Sequence, residues 1–292
     1  MLAGTGLSLF SAHARIAGDA AALRQHRHTL WRPAAALFAF GALSTPVWPA
    51  DFLRFHGVDI ALAAFCLARH RTVLVGFTLA LPVAFCTDLR MLDYEYRWNV
   101  NTLDYCGLWT LDGMLHHFLF NGFNPVVPWL AFVFHGMLLG RLRLPNTGLQ
   151  RRMVVWSASV AVLTEILSLT LVALASGDLD LGAHSDTESM PPVPLYLIAA
   201  VGNATALIGA CLALARRVGD ARVLSALVHT GLLALTRCSA HVFVGFGTLE
   251  TLGLLGKQCR GTAVLTSALF CLLAVGFAHG PANRLLRRLS RR

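Results

Sequence analysis

Residues 121–141 read NGFNPVVPWLAFVFHGMLLGR, and this stretch decides which solvent the protein folds in. A turn rich in Asn and Pro is followed by an apolar run that contains one histidine and stops at Arg141. Prolines suit the first turn of a helix, because the N–H groups there have no partner within the helix. We therefore predict a membrane-spanning helix over 126–142, with Trp129 at the interface.

The composition extends this prediction to the whole chain. Of its 292 residues 56% are hydrophobic and 13% are charged, whereas soluble domains are about half apolar and a quarter charged. We predict an all-α, polytopic transmembrane helical bundle over 1–280 and a basic cytoplasmic tail over 281–292. Segments long and apolar enough to span a bilayer are predicted at eight places, 33–49, 52–68, 72–88, 126–142, 153–175, 192–215, 223–246 and 262–279.

The first twelve residues are predicted as an N-terminal half-span. MLAGTGLSLFSA is apolar for only about ten residues, about 15 Å of helix, which is too short to cross a bilayer. It has neither the basic start nor the cleavage motif of a secretory signal. By its position before the basic residues that follow, it would form the second half of a span whose first half lies upstream of Met1.

The basic residues predict the topology, because short loops rich in Arg and Lys stay in the cytoplasm. Eighteen of the 24 Lys and Arg residues fall in alternate connections or the tail, and five fall in the opposite connections. Residues 13–32 and the C-terminus are therefore predicted to be cytoplasmic, and residues 89–125 to form a long outer loop. The net charge of +9 is explained by this topology and by attraction to anionic lipid, so no nucleic-acid partner is predicted.

Polar residues at or near membrane depth are the candidate site, because their burial is costly unless they face protein or a watery cavity. Asp51 and Arg54 could instead be a surface cap and salt bridge at a helix start. His56 and Asp59 continue the same polar corner into the membrane, which favours a cavity. The predicted outer pocket consists of Asp51, Arg54, His56, Asp59, His117, Asn121, Asn124 and His241.

Other polar residues have structural alternatives. Glu165 and Arg237 lie at similar depth and are predicted to form a buried ion pair, which could be purely structural. His135 beside Gly136 is interpreted as a packing residue. His116 and His117 would diverge by about 100° in a helix, so at most one of them could serve a given site.

The cysteines and the outer loop do not define a site by themselves. No metal-ligand spacing is present, so no metal is predicted, and a Cys86–Cys106 disulfide is left open. Aromatic, acidic and histidine residues in 89–125 suit either contact with a polar substrate such as a sugar or aromatic packing over the membrane rim.

Three blocks of sequence together resemble one family. They are WPADFLRFHG in the 47–57 region, NGFNPVVPWLAFVFHGMLLGRL at 121–142, and MPPVPLYLIAAVGNATALIGACLALARR followed by TGLLALTRCSAHVFVGFGTLETLGL within 190–254. In this order they resemble the bacterial YeiB-like membrane proteins, which are related to heparan-alpha-glucosaminide N-acetyltransferase in the transmembrane acyltransferase group.

The resemblance implies a multi-pass protein of the bacterial inner membrane. Such a protein would take an acyl group from cytosolic acyl-CoA, used as a cosubstrate rather than a bound cofactor, and pass it to an outer acceptor such as a sugar of the cell envelope. The histidine that the enzymes of the family require would precede Met1, so the resemblance assigns no catalytic residue here. A non-catalytic membrane protein or truncated gene product is therefore the alternative. A transporter would require broken helices in repeated halves, and the chain shows no internal repeat.

Overall fold

The computed structural model describes residues 1–45, 50–99, 104–175, 187, 190–219 and 231. The chain divides into two compact units, Met1–Ala213 and Leu214–Arg292. Nearly all of the described residues belong to the first unit. The predicted spans 223–246 and 262–279 and the tail 281–292 lie outside the described residues, apart from Gly231.

The described chain is mostly helical. Its helices are α1 Leu2–Phe10, α2 Ala12–Ala17, α3 Ala20–Ser44, α4 Leu53–Phe65, α5 Arg71–Met91, α6 Leu111–His116, α7 Val126–Leu139, α8 Thr147–Leu174 and α9 Pro194–Val218. A π-helical turn, His117–Asn121, continues α6. The strands β1 Trp98–Asn99 and β2 Asp104–Tyr105 pair antiparallel, with Trp98 opposite Tyr105.

Three described helices are long and apolar enough to cross a membrane by themselves, namely α5, α8 and α9. They correspond to the predicted spans 72–88, 153–175 and 192–215. The predicted span 126–142 corresponds to α7, which passes the same test only together with the preceding segment Leu111–Asn121, at a bend of 50°. The membrane character of the chain is thus supported, while a total of eight spans stays a prediction.

The predicted spans 33–49 and 52–68 differ from the helices found there. Helix α3 begins at Ala20, well before residue 33, and its first half is rich in basic residues. Helix α4 has 13 residues, about 20 Å, which is shorter than a hydrocarbon core of about 30 Å. Neither α3 nor α4 is both long and apolar enough to cross a membrane alone. The two helices pack closely on each other.

Residues 13–32, predicted as a cytoplasmic connection, are helical for most of their length. Asp19 starts α3 as an N-cap, because its carboxylate accepts hydrogen bonds from the backbone N–H groups of Ala21 and Ala22, both at 2.9 Å. Asn146 caps α8 in the same way through the N–H of Leu149. These caps explain why both helices begin before their apolar segments.

Helix α7 lies at the centre of the packing and contacts α1, α4 and α5. The core cluster around it includes Phe55, Leu74, Val133, Phe134 and Met137. These buried side chains belong to α4, α5 and α7, so the apolar run that the sequence predicts as a span is also the one around which the other helices assemble.

Glycines allow the closest helix contacts. A Cβ at Gly4 of α1 would overlap the carbonyl oxygen of Val133, and a Cβ at Gly136 would overlap that of Met1. A Cβ at Gly57 of α4 would lie 2.6 Å from the carbonyl oxygen of Ala34. Small residues at such crossings let backbones approach, as is common between helices in membranes. Thr5 adds a hydrogen bond across the α1–α7 contact, to the carbonyl of Gly136 at 3.1 Å.

The first unit has two chemically different ends. At the basic end, Arg141 donates to the carbonyls of Arg69 and Leu67 at 2.8 and 3.2 Å, and Arg15 and Arg71 lie near enough to repel its charge. At the loop end, the hairpin, α6 and the π-helical turn gather above the starts of α4 and α7. The segregation of these four arginines agrees with the predicted alternation of loops.

Candidate functional site: two cavities around α4

The start of α4 is held by Asp51 and Arg54. The Asp51 carboxylate accepts the backbone N–H of Arg54 at 3.1 Å, which is the cap that the sequence allowed as an alternative. The Arg54 side chain is only 3% exposed. Its guanidinium donates to the hydroxyl of Thr45 and lies 5.0 Å from the centre of the Phe55 ring. The residue is thus a buried cation at the loop end.

Arg54 lines a cavity of about 480 Å³, here called the Arg54 cavity. Its other walls come from the end of α3, the hairpin and the segment before α6. The described lining residues are Thr45, Arg54, Trp98, Asp104, Tyr105, Gly107, Leu108, Trp109, Thr110 and His117. Trp109 is 69% exposed, so an aromatic face is open to a ligand.

His117 forms part of the wall of the Arg54 cavity. It is 1% exposed, and its ring lies 4.7 Å from that of Tyr105 and 5.4 Å from that of Phe55. Its Nδ1 is buried and has no hydrogen-bond partner among the described residues. A buried nitrogen of this kind is costly unless a ligand or water pairs with it.

His116 has different surroundings. Its ring packs against Tyr96 and Phe120, with ring centres 5.6 and 5.4 Å away. Only His117 of the pair lines the Arg54 cavity. The prediction that two adjacent histidines on a helix could not serve one site therefore agrees with their placement.

Asn121 holds the loop end together and does not line either cavity. Its Nδ2 donates to the carbonyls of Tyr94 and Tyr96 at 3.1 and 2.8 Å, and its Oδ1 accepts from the Tyr105 hydroxyl at 3.0 Å. Its own carbonyl accepts from Nε1 of Trp98 at 2.7 Å. Burial raises the pKa of Tyr105, so this hydroxyl stays protonated and can donate. These contacts give Asn121 a structural role.

His56, Asp59 and Asn124 line a second cavity of about 480 Å³, here called the His56 cavity. His56 Nδ1 lies 4.0 Å from Asp59 Oδ2, and the two residues are one helical turn apart. The remaining walls are mainly apolar and aromatic and come from α1, α7 and α9. Asp59 is 3% exposed, and its Oδ1 has no hydrogen-bond partner in the described ranges.

The residues predicted as one outer pocket are therefore divided. Phe55 lines the His56 cavity, while its ring also contacts His117 of the Arg54 cavity. Because successive residues of a helix point about 100° apart, Arg54 and His56 on either side of Phe55 reach different spaces. Arg54 and His117 share one cavity, and His56, Asp59 and Asn124 share the other. His241 lies outside the described residues.

The remaining candidate residues are more scattered. Glu165 on α8 accepts a hydrogen bond from Thr187 at 2.9 Å, and its predicted partner Arg237 lies outside the described residues. His135 forms a hydrogen bond with Thr205 of α9 at 3.2 Å, in line with a packing role. Cys86 and Cys106 are both free. Within the described ranges, no group of His, Cys, Asp or Glu side chains is arranged to hold a metal ion.

Several lining residues were not singled out from the sequence. Trp98, Tyr105 and Trp109 stand in the aromatic outer loop, whose composition had indicated either packing or substrate contact. Thr45 had no distinguishing signal, because it reaches Arg54 only through the close approach of α3 and α4. That approach depends on Gly41, where a Cβ would lie 2.9 Å from the Cβ of Arg54.

Comparison with known proteins gave no match to a family model, a curated protein or a solved structure. The resemblance of the three sequence blocks to the YeiB-like proteins therefore stays a prediction. The geometry of the two cavities is the structural observation that bears most directly on function.

Proposed function

We propose that this chain is a multi-pass membrane protein of the acyltransferase type, which passes an acyl group from cytosolic acyl-CoA to a polar acceptor, such as a sugar, at the outer side. The resemblance of the three sequence blocks supports the acyl chemistry. The two chemically different ends support the sidedness. The proposal includes eight spans in a bacterial inner membrane, with a cytoplasmic C-terminus.

The observation that carries the acceptor part of the proposal is the Arg54 cavity. Trp109 offers an exposed aromatic face, and Trp98 and Tyr105 lie beside it. Arg54, Asp104 and His117 supply hydrogen-bonding groups around the same space. An apolar face combined with convergent polar groups is suited to a hydroxylated ring, and a volume of about 480 Å³ falls within the usual range of small-molecule sites.

The donor would approach the basic end. Four arginines lie there, Arg15, Arg69, Arg71 and Arg141. Arg15 and Arg71 are close enough to Arg141 for their charges to interact with its guanidinium, which also donates to the carbonyl of Arg69. Acyl-CoA carries several phosphates, and arginine is well suited to bind them. Transfer would then require the acyl group to pass between the two ends of the first unit.

A non-catalytic ligand-binding protein is the second candidate, and a specific observation favours it. A general base is normally held and activated by a hydrogen-bonded neighbour. His117 Nδ1 has no such neighbour among the described residues, and His56 lies 4.0 Å from Asp59, beyond hydrogen-bond distance.

The test uses inside-out membrane vesicles containing the full chain, with radiolabelled acetyl-CoA outside and glucosamine trapped in the lumen. Labelled product should accumulate in the lumen. We expect His117→Gln to lower the rate about tenfold, as loss of one hydrogen bond to the acceptor would. His116→Gln is the matched control and should leave the rate unchanged, because His116 lies outside the cavity.

Two results would contradict the acyltransferase proposal. The first is an absence of transfer from acetyl-CoA and from longer acyl-CoAs, with the chain folded in the vesicles. The second is equal loss of activity in the two histidine variants. If transfer is absent but glucosamine still changes the tryptophan fluorescence of the purified chain, the non-catalytic candidate is favoured.

A further inference from the structure

The His56 cavity has no part in the proposed acyl transfer, although it contains a buried carboxylate. Its polar groups include His56 and Asp59 from the first half of α4 and Asn124 from the turn before α7. The α-amino group of Met1 also lines the cavity, near enough to Asp59 to interact with its charge. The walls away from these groups are formed by apolar side chains such as Phe132, Val133 and Ile208. One part of the cavity is therefore polar and the rest is apolar.

The cavity is also elongated. Its lining includes Tyr196 near the start of α9 and Ile208 twelve positions further along, a separation of about 18 Å at the helical rise. Ala200 and Ala204 lie between them on the same wall, and their small side chains leave room beside the helix. The elongated space is therefore suited to a single extended chain.

Asp59 indicates what kind of head group would accompany the chain. It is buried, and its Oδ1 has no hydrogen-bond partner among the described residues. A buried carboxylate oxygen requires a donor, since leaving it unpaired costs free energy. His56 lies one turn earlier in α4, with its Nδ1 4.0 Å from Oδ2 of Asp59, so one head group in the cavity could contact both side chains.

We propose that the His56 cavity binds a single-chain lipid acid. Its carboxyl group bridges His56 and Asp59 from the cavity side, with the acid proton donated to Asp59 and the other oxygen accepting from the His56 ring. Its hydrocarbon chain runs along α9 past Ala200 and Ala204. Binding involves no covalent step, so this inference does not depend on acyl transfer.

The experiment uses the full chain in nanodiscs and a medium-chain fatty acid with a diazirine near the end of its chain. After illumination, the modified residues are mapped by mass spectrometry. We expect adducts at residues that line the cavity, particularly Phe132, Ala204 and Ile208. Unlabelled fatty acid should suppress them, and its methyl ester should compete at least about tenfold less well, because it has lost the donated proton.

Two variants of equal size change test the position of the chain. Ala204→Phe fills the cavity and should lower the yield of these adducts about tenfold. Ala210→Phe is the matched control, because Ala210 is exposed on the same helix and does not line the cavity; its yield should stay within about twofold of the original. Thermal unfolding of both variants checks that they are folded.

The proposal is overturned if adducts fall mainly on outward-facing residues such as Leu163 and Leu169, which would indicate ordinary contact with bilayer lipid. It is also overturned if the methyl ester competes as well as the acid. The competition experiment needs no variant, so it remains decisive if Ala204→Phe fails to fold. Cross-linking does not require acyl-CoA, so its result is separate from that of the transfer assay.

Discussion

Asn121 shows how much a single buried amide can organise. Its side chain is 0% exposed and makes three hydrogen bonds, two as donor and one as acceptor. The partners belong to the segment before β1 and to β2, whereas Asn121 ends the π-helical turn. Asn121 therefore helps to attach the hairpin to the helices, together with the ring contacts of Trp98 and Tyr105 with His117.

We predict that Asn121→Ala destabilises the protein by about 1–3 kcal/mol, because the carbonyls of Tyr94 and Tyr96 and the Tyr105 hydroxyl lose their buried partner. Thermal unfolding in detergent, monitored by circular dichroism, measures this change. Asn203→Ala is the control, since Asn203 is exposed on α9 and should have little effect. Equal stability of the two variants would show that the amide does not hold the loop end.

The same residue gives a second expectation, for the Arg54 cavity. If Asn121 positions Trp98 and Tyr105, its replacement by Ala should weaken glucosamine binding even where the fold is retained. Quenching of tryptophan fluorescence during titration measures the affinity, and a reduction of about tenfold is expected from the displacement of two wall residues. An unchanged affinity would mean that the cavity is formed independently of the Asn121 contacts.

At the scale of helices, the α1–α7 contact depends on the absence of side chains. Gly4 and Gly136 bring the two backbones so close that a Cβ at either position would overlap a carbonyl oxygen. The Thr5 hydroxyl then reaches the carbonyl of Gly136. This arrangement explains why a helix of only 9 residues is held firmly against the centre of the fold.

We predict opposite effects for two substitutions in α1. Gly4→Ala should destabilise the protein by about 1–3 kcal/mol, because α1 and α7 must separate to admit the methyl group. Gly6→Ala should be neutral or stabilising by up to about 1 kcal/mol, because alanine favours the helix and its Cβ would meet no described atom within 4 Å. Unfolding midpoints of the two variants provide the measurement. A Gly4→Ala protein as stable as the Gly6→Ala protein would contradict the close contact.

The two ends of the first unit differ, with a cluster of four arginines at one end and the hairpin, α6 and the π-helical turn at the other. Four basic residues from α2, the α4–α5 connection, the start of α5 and the end of α7 converge at the basic end. Cys106 lies at the opposite end and is exposed and free. The two ends therefore carry distinct chemical markers for a topology experiment.

We predict that a membrane-impermeant maleimide labels Cys106 in intact cells. Arg152→Cys, at the exposed start of α8 on the predicted cytoplasmic side, should be labelled only after the membrane is permeabilised. Mass spectrometry of the tryptic peptides identifies the labelled positions. Labelling with the reverse order of access would invert the proposed topology, and equal access of both sites in intact cells would contradict a membrane-spanning arrangement.

The amino-acid sequence by itself determined that this is a helical membrane protein. The predicted span 72–88 and helix α5 nearly coincide, because an apolar run of that length is long enough to span a bilayer as a helix. It also indicated which residues are polar at depth and that His116 and His117 diverge, since helical geometry is local. The sequence predicted the helix starts less well, because the caps at Asp19 and Asn146 precede the apolar runs by several residues.

Only the tertiary structure decided how the candidate site is divided. Arg54 and His56 are two positions apart, yet they reach different cavities because Phe55 packs between them against His117. The sequence predicted Asn121 to be part of a ligand-binding pocket. Its hydrogen-bond partners lie in and beside the hairpin, so only the tertiary structure could identify them. Contacts between residues such as Thr45 and Arg54 depend on backbones that glycines allow to come close. Hydropathy predicts whether each residue is buried or exposed, but it contains no information on which helices become neighbours.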